Sequence, residues 1–292
     1  MASSGEWQCV RRGKGAARRG KPDRSQKPTA APEPADRQRD TRRLTEAVNE
    51  LRGEDFWLKW RDLLSGCLAG FGCDGRVEKT VREGECLLDC VCYGLGNFSS
   101  CVSARYQLAM LLLLFEALQI PTGQCSMYDP VFTVTECEIL RELGFTVLTE
   151  NEEGKRAVCR PTFFYLMHCG KALYNNLLWR NWSPRILPKV IVIGNSFLGI
   201  QERMLQRELE RDYSFLSHIV NVCEERSLPC SQRFMDVFND SALIQFPPDK
   251  LHKVPESIWI DPSEPQYQHC QDLEIIQQES RLQTDNKCAQ TL

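Results

Sequence analysis

Residues 86–98 read CLLDCVCYGLGNF, an apolar run that ends in a glycine-rich turn. An apolar run as short as residues 86–93 is typical of a strand that is buried on both faces of a sheet. Gly94 and Gly96 follow it, and residues 102–118 then continue without a helix breaker. This succession of strand, glycine turn and helix predicts the first unit of a parallel α/β sheet.

The same alternation runs through the central region. Short apolar runs predict further strands at 125–128, 145–148, 162–167 and 190–193, with a sixth at 243–246. Helices are predicted at 102–118, 133–143 and 171–179, and one more from Phe197 to Leu209. In 133–143, either Thr133 with Glu136 or Thr135 with Glu138 fits a capping box. We therefore predict an α/β fold with a Rossmann-like, doubly wound, mostly parallel sheet and helices on both faces.

The composition divides the chain into four segments. Residues 1–43 are rich in Arg, Lys, Gly, Ala and Pro, so we predict a disordered basic tail. Residues 44–84 predict a helical N-terminal extension that Gly53 divides or bends. The α/β domain is expected over 85–262. Residues 263–292 are polar and predict a C-terminal tail, with a weak helical patch at Leu273, Ile275 and Ile276.

Composition also limits the function classes. The 292 residues carry a net charge of −3, which argues against a protein that coats nucleic acid along its whole surface. The 15 cysteines are odd in number and many lie in apolar runs, so free thiols in a reducing compartment are expected. The first thirty residues lack a secretory apolar core, and residues 108–115 are too few to span a bilayer. These features predict a cytoplasmic location, with the nucleus as a second one, and no membrane partner.

Ligands of open α/β sheets bind beyond the carboxyl ends of the strands. Polar and glycine residues follow these strand ends, and the candidate crevice comprises Gly94, Gly96, Asn97, Asp129, Glu150, Glu152, His168, Gly170, Asn175, Gly194, Asn195 and Ser196. We expect the first, fourth and fifth strands to lie side by side, so that Gly94, Gly96, His168, Gly170, Gly194 and Asn195 surround one pocket flanked by Asp129 and Glu150. The alternative is the same convergence with the space filled by Phe98, Tyr174 and Phe197.

The residue types leave the ligand open. The turn at 94–96 opens a helix, and Asp129 stands where an acid meets a ribose hydroxyl, which together suggest a nucleotide or S-adenosylmethionine. A strand-to-helix turn also needs small residues for geometry alone. His168 and Cys169 are expected to point apart, as a structural histidine and not as a nucleophile–base pair. No Cys-X-X-Cys occurs, so no metal site is predicted, and the sequence names no cofactor.

Several of these residues also carry a family resemblance. The motifs are CYGLGNF at 92–98, SARYQLA at 103–109, DPVF at 129–132, ENEEGKR at 150–156, HCG at 168–170, YNNLL at 174–178, NW at 181–182 and IGNSF at 193–197. In this order they resemble the "sensitivity to red light reduced" (SRR-like) domain over about residues 85–250. The resemblance implies a regulatory protein, associated with circadian clock gene expression and with haem biosynthesis, and it implies no catalytic residues.

Two other function classes remain open. One is an enzyme, methyltransferase-like, that holds its cofactor with the turn at 94–98 and Asp129, and its substrate near Glu152, His168 or Asn195. The other is an RNA-associated protein that uses the basic tail, the part of the chain predicted to contact nucleic acid. The sequence identifies no protein partner.

Overall fold

The computed structural model describes residues 34–68, 88–260, 262–268, 270, 273 and 275. Two helices come first, α1 (Pro34–Arg52) and α2 (Asp55–Leu68), and the break between them lies at Gly53, as the sequence indicates. Helix α1 begins before the expected boundary at residue 44. Proline favours the first helical position, and Arg37 forms ion pairs with Glu138 and Glu142. Residues 1–33, most of the predicted basic tail, and residues 69–87 lie outside the described residues.

A seven-stranded sheet forms the centre of the molecule. Its strands are β1 (Asp89–Tyr93), β2 (Cys125–Tyr128), β3 (Thr146–Val147), β4 (Thr162–Leu166), β5 (Val190–Asn195), β6 (Glu224–Ser227) and β7 (Ser241–Gln245). The order across the sheet is β3-β2-β1-β4-β5-β7-β6. Strands β1 to β5 are parallel, and β7 runs antiparallel to both β5 and β6. The predicted mostly parallel, doubly wound sheet is confirmed, with the first, fourth and fifth strands side by side.

The helices that follow the strands cover both faces of the sheet. They are α3 (Val102–Leu118), α4 (Val134–Glu142), α5 (Lys171–Arg180), α6 (Phe197–Arg203), α7 (Gln206–Asp212), α8 (Ser214–Ile219), α9 (Met235–Phe238) and α10 (Pro248–Leu251). Alternate residues of β1 point to opposite faces, so Cys90 and Cys92 pack with α1–α4 and α9. Val91 and Tyr93 pack with α5–α8 and α10. The sheet is therefore buried between two apolar layers.

Two elements differ from the sequence prediction. Strand β6 reads EERS and has no apolar run that could reveal it, because it is an edge strand whose side chains are half-buried or exposed. The helix predicted from Phe197 to Leu209 is two helices, because Met204 adopts an extended conformation between α6 and α7. The capping box at α4 uses the first of the two candidate pairs, Thr133 with Glu136.

The C-terminal segment, here the described residues between 262 and 275, packs on the domain where a polar tail was expected. Tyr267 is buried, and its hydroxyl donates to the carbonyl of Ala172 or to Asn176 Oδ1. The indole of Trp179 donates to the carbonyl of Pro262 at 3.0 Å. Tyr267 and the backbone of Pro262 thus join the segment to α5. None of the helices in the described part of the chain is both long and apolar enough to cross a membrane.

Candidate functional site

A cavity of about 420 Å³ opens at the carboxyl edge of the sheet. It lies at the ends of β1, β2 and β4, where the strand order reverses and where open α/β sheets bind their ligands. Its lining consists of Tyr93, Gly94, Tyr128, Asp129, Pro130, Asn151, Glu153, Gly154, His168, Cys169, Gly170, Leu173 and Ile275. The volume falls within the range of roughly 300–1,000 Å³ that is typical of small-molecule sites.

The turn after β1 is shaped by its neighbours. Gly94 has φ +65°, and a Cβ atom there would lie 2.6 Å from Cys169 Sγ, so only glycine fits. The amide of Gly96 donates to Asp129 Oδ2 at 2.8 Å, and the amide of Val131 donates to Asp129 Oδ1 at 2.9 Å. Asp129 therefore ties the turn after β1 to the end of β2, while its carboxylate stays at the cavity wall.

The amide groups that lead into α3 already have acceptors within the protein. Ser99 N donates to Glu136 Oε1 at 2.8 Å. Ser100 N donates to Asn97 Oδ1, and Cys101 N to the carbonyl of Asn97, each at 2.9 Å. Asn97 and the fully buried Glu136 thus hold the residues that precede this helix. These three amides are therefore not available to a ligand, whereas the N-cap residue Cys101 makes no side-chain hydrogen bond to the first turn of the helix.

The loop after β3 forms the acidic side of the cavity. Glu152 accepts a hydrogen bond from the Tyr93 hydroxyl and pairs with Arg156 at 2.6 Å, so it holds the loop against β1. Glu153 lines the cavity and pairs with Lys155 at 2.5 Å. Burial, reinforced by the hydrogen bond to Glu152, raises the pKa of Tyr93 far above its usual value. Burial and the nearby Asp129 also raise the pKa of Tyr128, so both phenols stay protonated.

The turn after β4 brings His168, Cys169 and Gly170 to the cavity. His168 Nε2 lies 3.3 Å from the carbonyl of Asn239, while Cys169 Sγ donates to the carbonyl of Tyr93 at 3.3 Å. The two side chains interact with different parts of the chain, as expected for neighbours at a strand end. Their geometry is that of two structural residues.

The end of β5 is filled. Tyr174 donates to the carbonyl of Leu166 and accepts from Asn195 N at 2.9 Å, and a Cβ atom at Gly194 would lie 2.5 Å from the Tyr174 hydroxyl. Ser196 caps α6 by accepting from Gly199 N at 2.8 Å. The expected single pocket therefore does not extend to Gly194 and Asn195, because Tyr174 occupies that part of the edge, as the alternative prediction foresaw for this side chain.

The twelve candidate residues thus divide into two groups. Gly94, Asp129, His168 and Gly170 line the cavity, whereas Gly96, Asn97, Glu150, Glu152, Asn175, Gly194, Asn195 and Ser196 do not. Asn175 is fully buried, and its Oδ1 accepts from Phe215 N and Leu216 N at the start of α8. The sequence reasoning missed Tyr93, Tyr128 and Glu153. The position of both tyrosines as the last residue of a strand was the signal that could have found them.

No group of three or more His, Cys, Asp or Glu side chains within the described ranges is arranged to hold a metal ion. The eleven cysteines in these ranges are free thiols. The three in the sheet, Cys90, Cys92 and Cys125, are fully buried, and Cys90 Sγ lies 3.2 Å from Cys125 Sγ. They behave as small apolar groups of the core.

Comparisons with known proteins converge on one family. A family model described as the SRR1 domain matches residues 74–251. An SRR1-like protein of Mus musculus is 42% identical over 235 residues, which cover 73% of this chain and 93% of the relative. An SRR1-like protein of Drosophila melanogaster is 31% identical over 209 residues, 72% of this chain and 69% of the relative.

A plant relative matches over a shorter span. Protein SENSITIVITY TO RED LIGHT REDUCED 1 of Arabidopsis thaliana is 36% identical over 126 residues, which cover 43% of this chain and 46% of the plant protein. No solved structure matches the chain.

Proposed function

The chain belongs to the SRR1 domain family, and we propose that it is a regulatory protein that acts on core clock gene expression and on haem biosynthesis. Kinship with a plant protein named for reduced sensitivity to red light supports a regulatory role. The clock and haem outputs are what the resemblance of this sequence's motifs to the SRR-like family implies. The free thiols and the basic residues of the N-terminal segment support a cytoplasmic, and also a nuclear, place of action.

In this proposal the protein regulates by binding a small ligand in the cavity. The observation that carries it is the site itself: a preformed cavity of about 420 Å³ at the point where the strand order reverses. Four of its lining residues, Gly94, Glu153, Gly154 and His168, adopt left-handed backbone conformations. Such conformations are uncommon for residues that carry a side chain, such as Glu153 and His168, and here they shape the wall of the cavity.

The experiment is a complementation test in cells that lack the protein. Leu173 lines the cavity, so Leu173→Trp should block it. Leu198→Trp is the matched control, because Leu198 is an exposed helical leucine outside the lining. Loss of the protein should change the rhythm of core clock transcripts and the cellular haem content. The wild type and Leu198→Trp should restore both, and Leu173→Trp should not. Unchanged rhythm and haem in cells without the protein would refute the regulatory role.

An enzyme is the second candidate, and the strand order favours it. The order β3-β2-β1-β4-β5 with an acid at the end of β2 is the arrangement in which α/β enzymes hold a nucleotide-type cofactor. Transfer of labelled methyl groups from S-adenosylmethionine to cell extract by the purified chain would identify a methyltransferase. The RNA-associated alternative depends on residues 1–43, of which 1–33 lie outside the described ranges, and it stays a prediction.

A further inference from the structure

We propose that the cavity binds a nucleoside that carries no phosphate, through contacts to its flat base and its ribose hydroxyls. This inference rests on the proposed function, since it names the class of ligand for the same site. Adenosine and its S-adenosyl derivatives belong to this class. Mononucleotides and dinucleotides do not.

The charge of the cavity argues against phosphate. Asp129 and Glu153 belong to the lining, which contains no Lys or Arg among the described residues. Lys155 is near but occupied, because its ammonium lies 2.5 Å from Glu153 Oε2 and 2.7 Å from Glu264 Oε1. Burial opposes the charged form of Lys155, yet the hydrogen bonds to these two glutamates raise its pKa. A phosphate that enters the cavity would therefore lie beside two carboxylates, and the described part of the lining has no lysine or arginine to balance its charge.

The backbone amides point to the same conclusion. Phosphate sites in α/β folds use unpaired amides at the turn after the first strand. Here Gly94 N donates to the carbonyl of Tyr128, Gly96 N to Asp129, and Ser99 N to Glu136. Ser100 N and Cys101 N donate to Asn97. Five amides of the segment that would hold a pyrophosphate are thus already paired within the protein and are not available to a phosphate.

Helix α5 supplies a weaker positive end. It begins beside the cavity, after its N-cap residue Gly170. A helix N-terminus amounts to roughly half a positive charge. That suits a single carboxylate, such as the amino-acid end of an S-adenosyl compound, but does not balance a phosphate beside two acids.

The remaining walls match a nucleoside. Tyr93, Tyr128, Pro130, Leu173 and Ile275 give the cavity an apolar and aromatic surface on which a flat base can pack. A carboxylate offers about four acceptor positions, and Asp129 uses two of them for Gly96 N and Val131 N. The other two are available to the ribose hydroxyls at the end of β2.

The test is calorimetric titration of the purified full chain with adenosine, S-adenosylhomocysteine, AMP and ATP. Adenosine or S-adenosylhomocysteine should bind roughly tenfold or more tightly than AMP, a difference of about 1.4 kcal/mol. Leu173→Trp should abolish this binding, and Leu198→Trp should retain it. Asp129→Asn removes one negative charge and one acceptor for the ribose hydroxyls. It should therefore lower the affinity for adenosine and S-adenosylhomocysteine and reduce the ratio of these affinities to the affinity for AMP.

Each other outcome is decisive. If AMP or ATP binds as tightly as adenosine, the ligand class is wrong while the cavity still binds a ligand as proposed. If none of the four compounds binds, the inference fails, and the complementation test with Leu173→Trp decides the proposed function separately. If circular dichroism shows that Leu173→Trp is unfolded, Asp129→Asn becomes the test of the site. A reduced preference for adenosine over AMP in that variant supports binding at the cavity. Unchanged binding in Asp129→Asn would overturn it.

Discussion

Gly194 marks the boundary between the open and the filled part of the strand edge. A Cβ atom at this position would lie 2.5 Å from the Tyr174 hydroxyl and 2.6 Å from the carbonyl of Leu166. Gly194→Ala should therefore lower the free energy of unfolding by about 1–3 kcal/mol through overpacking. Denaturant unfolding followed by circular dichroism measures the change.

Gly66→Ala is the control for that substitution. Gly66 lies inside α2, and a Cβ atom there meets nothing within 4 Å. Alanine favours a helix over glycine by roughly 1 kcal/mol, so this variant should be slightly more stable than the parent. Equal stability of the two variants would contradict the tight packing at β5.

A second residue-scale prediction concerns the buried thiol of Cys223. Burial, and then the neighbouring Glu225, raise the pKa of Cys223 from 9.0 to about 12. Between these values the unfolded chain loses the thiol proton and the folded chain keeps it. The contribution of this thiol to stability is therefore constant below pH 9 and falls as the pH rises from 9 towards 12.

The measurement is the free energy of unfolding as a function of alkaline pH. One such thiol contributes a slope of about 1.4 kcal/mol per pH unit in this window. In Cys223→Ala this contribution to the alkaline decline in the free energy of unfolding should be absent. The decline that other buried thiols and phenols cause should remain. An identical slope in the parent and in Cys223→Ala would contradict the prediction.

At the scale of elements, α5, α8 and the C-terminal segment share one polar junction. Asn175 Nδ2 donates to the Tyr267 hydroxyl at 3.2 Å, and this hydroxyl lies 2.7 Å from Asn176 Oδ1. Tyr267→Phe would leave these buried partners without the hydroxyl, so we expect a loss of about 1–3 kcal/mol. Thermal unfolding of the full chain measures it.

The matched control is Tyr128→Phe. Tyr128 ends β2 at the cavity, and its side chain is only partly buried, so loss of its hydroxyl should change stability by less than about 0.5 kcal/mol. If Tyr267→Phe were as stable as this control, the C-terminal segment would not depend on the junction.

The elements also show what the sequence could and could not predict. Strand β2 and helix α3 agree with the predicted bounds, because an apolar run or an uninterrupted helical stretch lies between clear breakers. Strand β6 was not predicted because it has no apolar run. The start of α1 was not predicted because the ion-pair partners of Arg37, Glu138 and Glu142, are distant in sequence. Within the site, Gly94 and Asp129 could be predicted because they directly follow strands, and open α/β sheets bind ligands beyond the carboxyl ends of their strands. The filling of the edge by Tyr174 was one of two open alternatives, because strand positions alone do not decide whether a side chain from α5 reaches the strand ends.

At the scale of the whole molecule, two parts outside the family match pack on the matched span. Helices α1 and α2 precede residue 74 and contribute to one apolar layer, and the C-terminal segment follows residue 251 and contributes to the other. Trp60 is fully buried and donates to the carbonyl of Pro229 at 2.6 Å. The matched span therefore exposes core surface on both sides when it stands alone.

This arrangement predicts that a chain of residues 69–292 is not stable. Helices α1 and α2 bury the side chains of Leu44, Ala47, Leu51, Phe56, Trp57, Trp60, Leu64 and Cys67. Each large apolar side chain is worth roughly 1.5–3 kcal/mol, so their sum is comparable with the whole stability of a domain, about 5–15 kcal/mol. A chain of residues 34–292 is the control, because it keeps every described contact. Thermal unfolding should be cooperative for 34–292 and absent for 69–292, and equal melting temperatures would show that the two helices do not support the sheet.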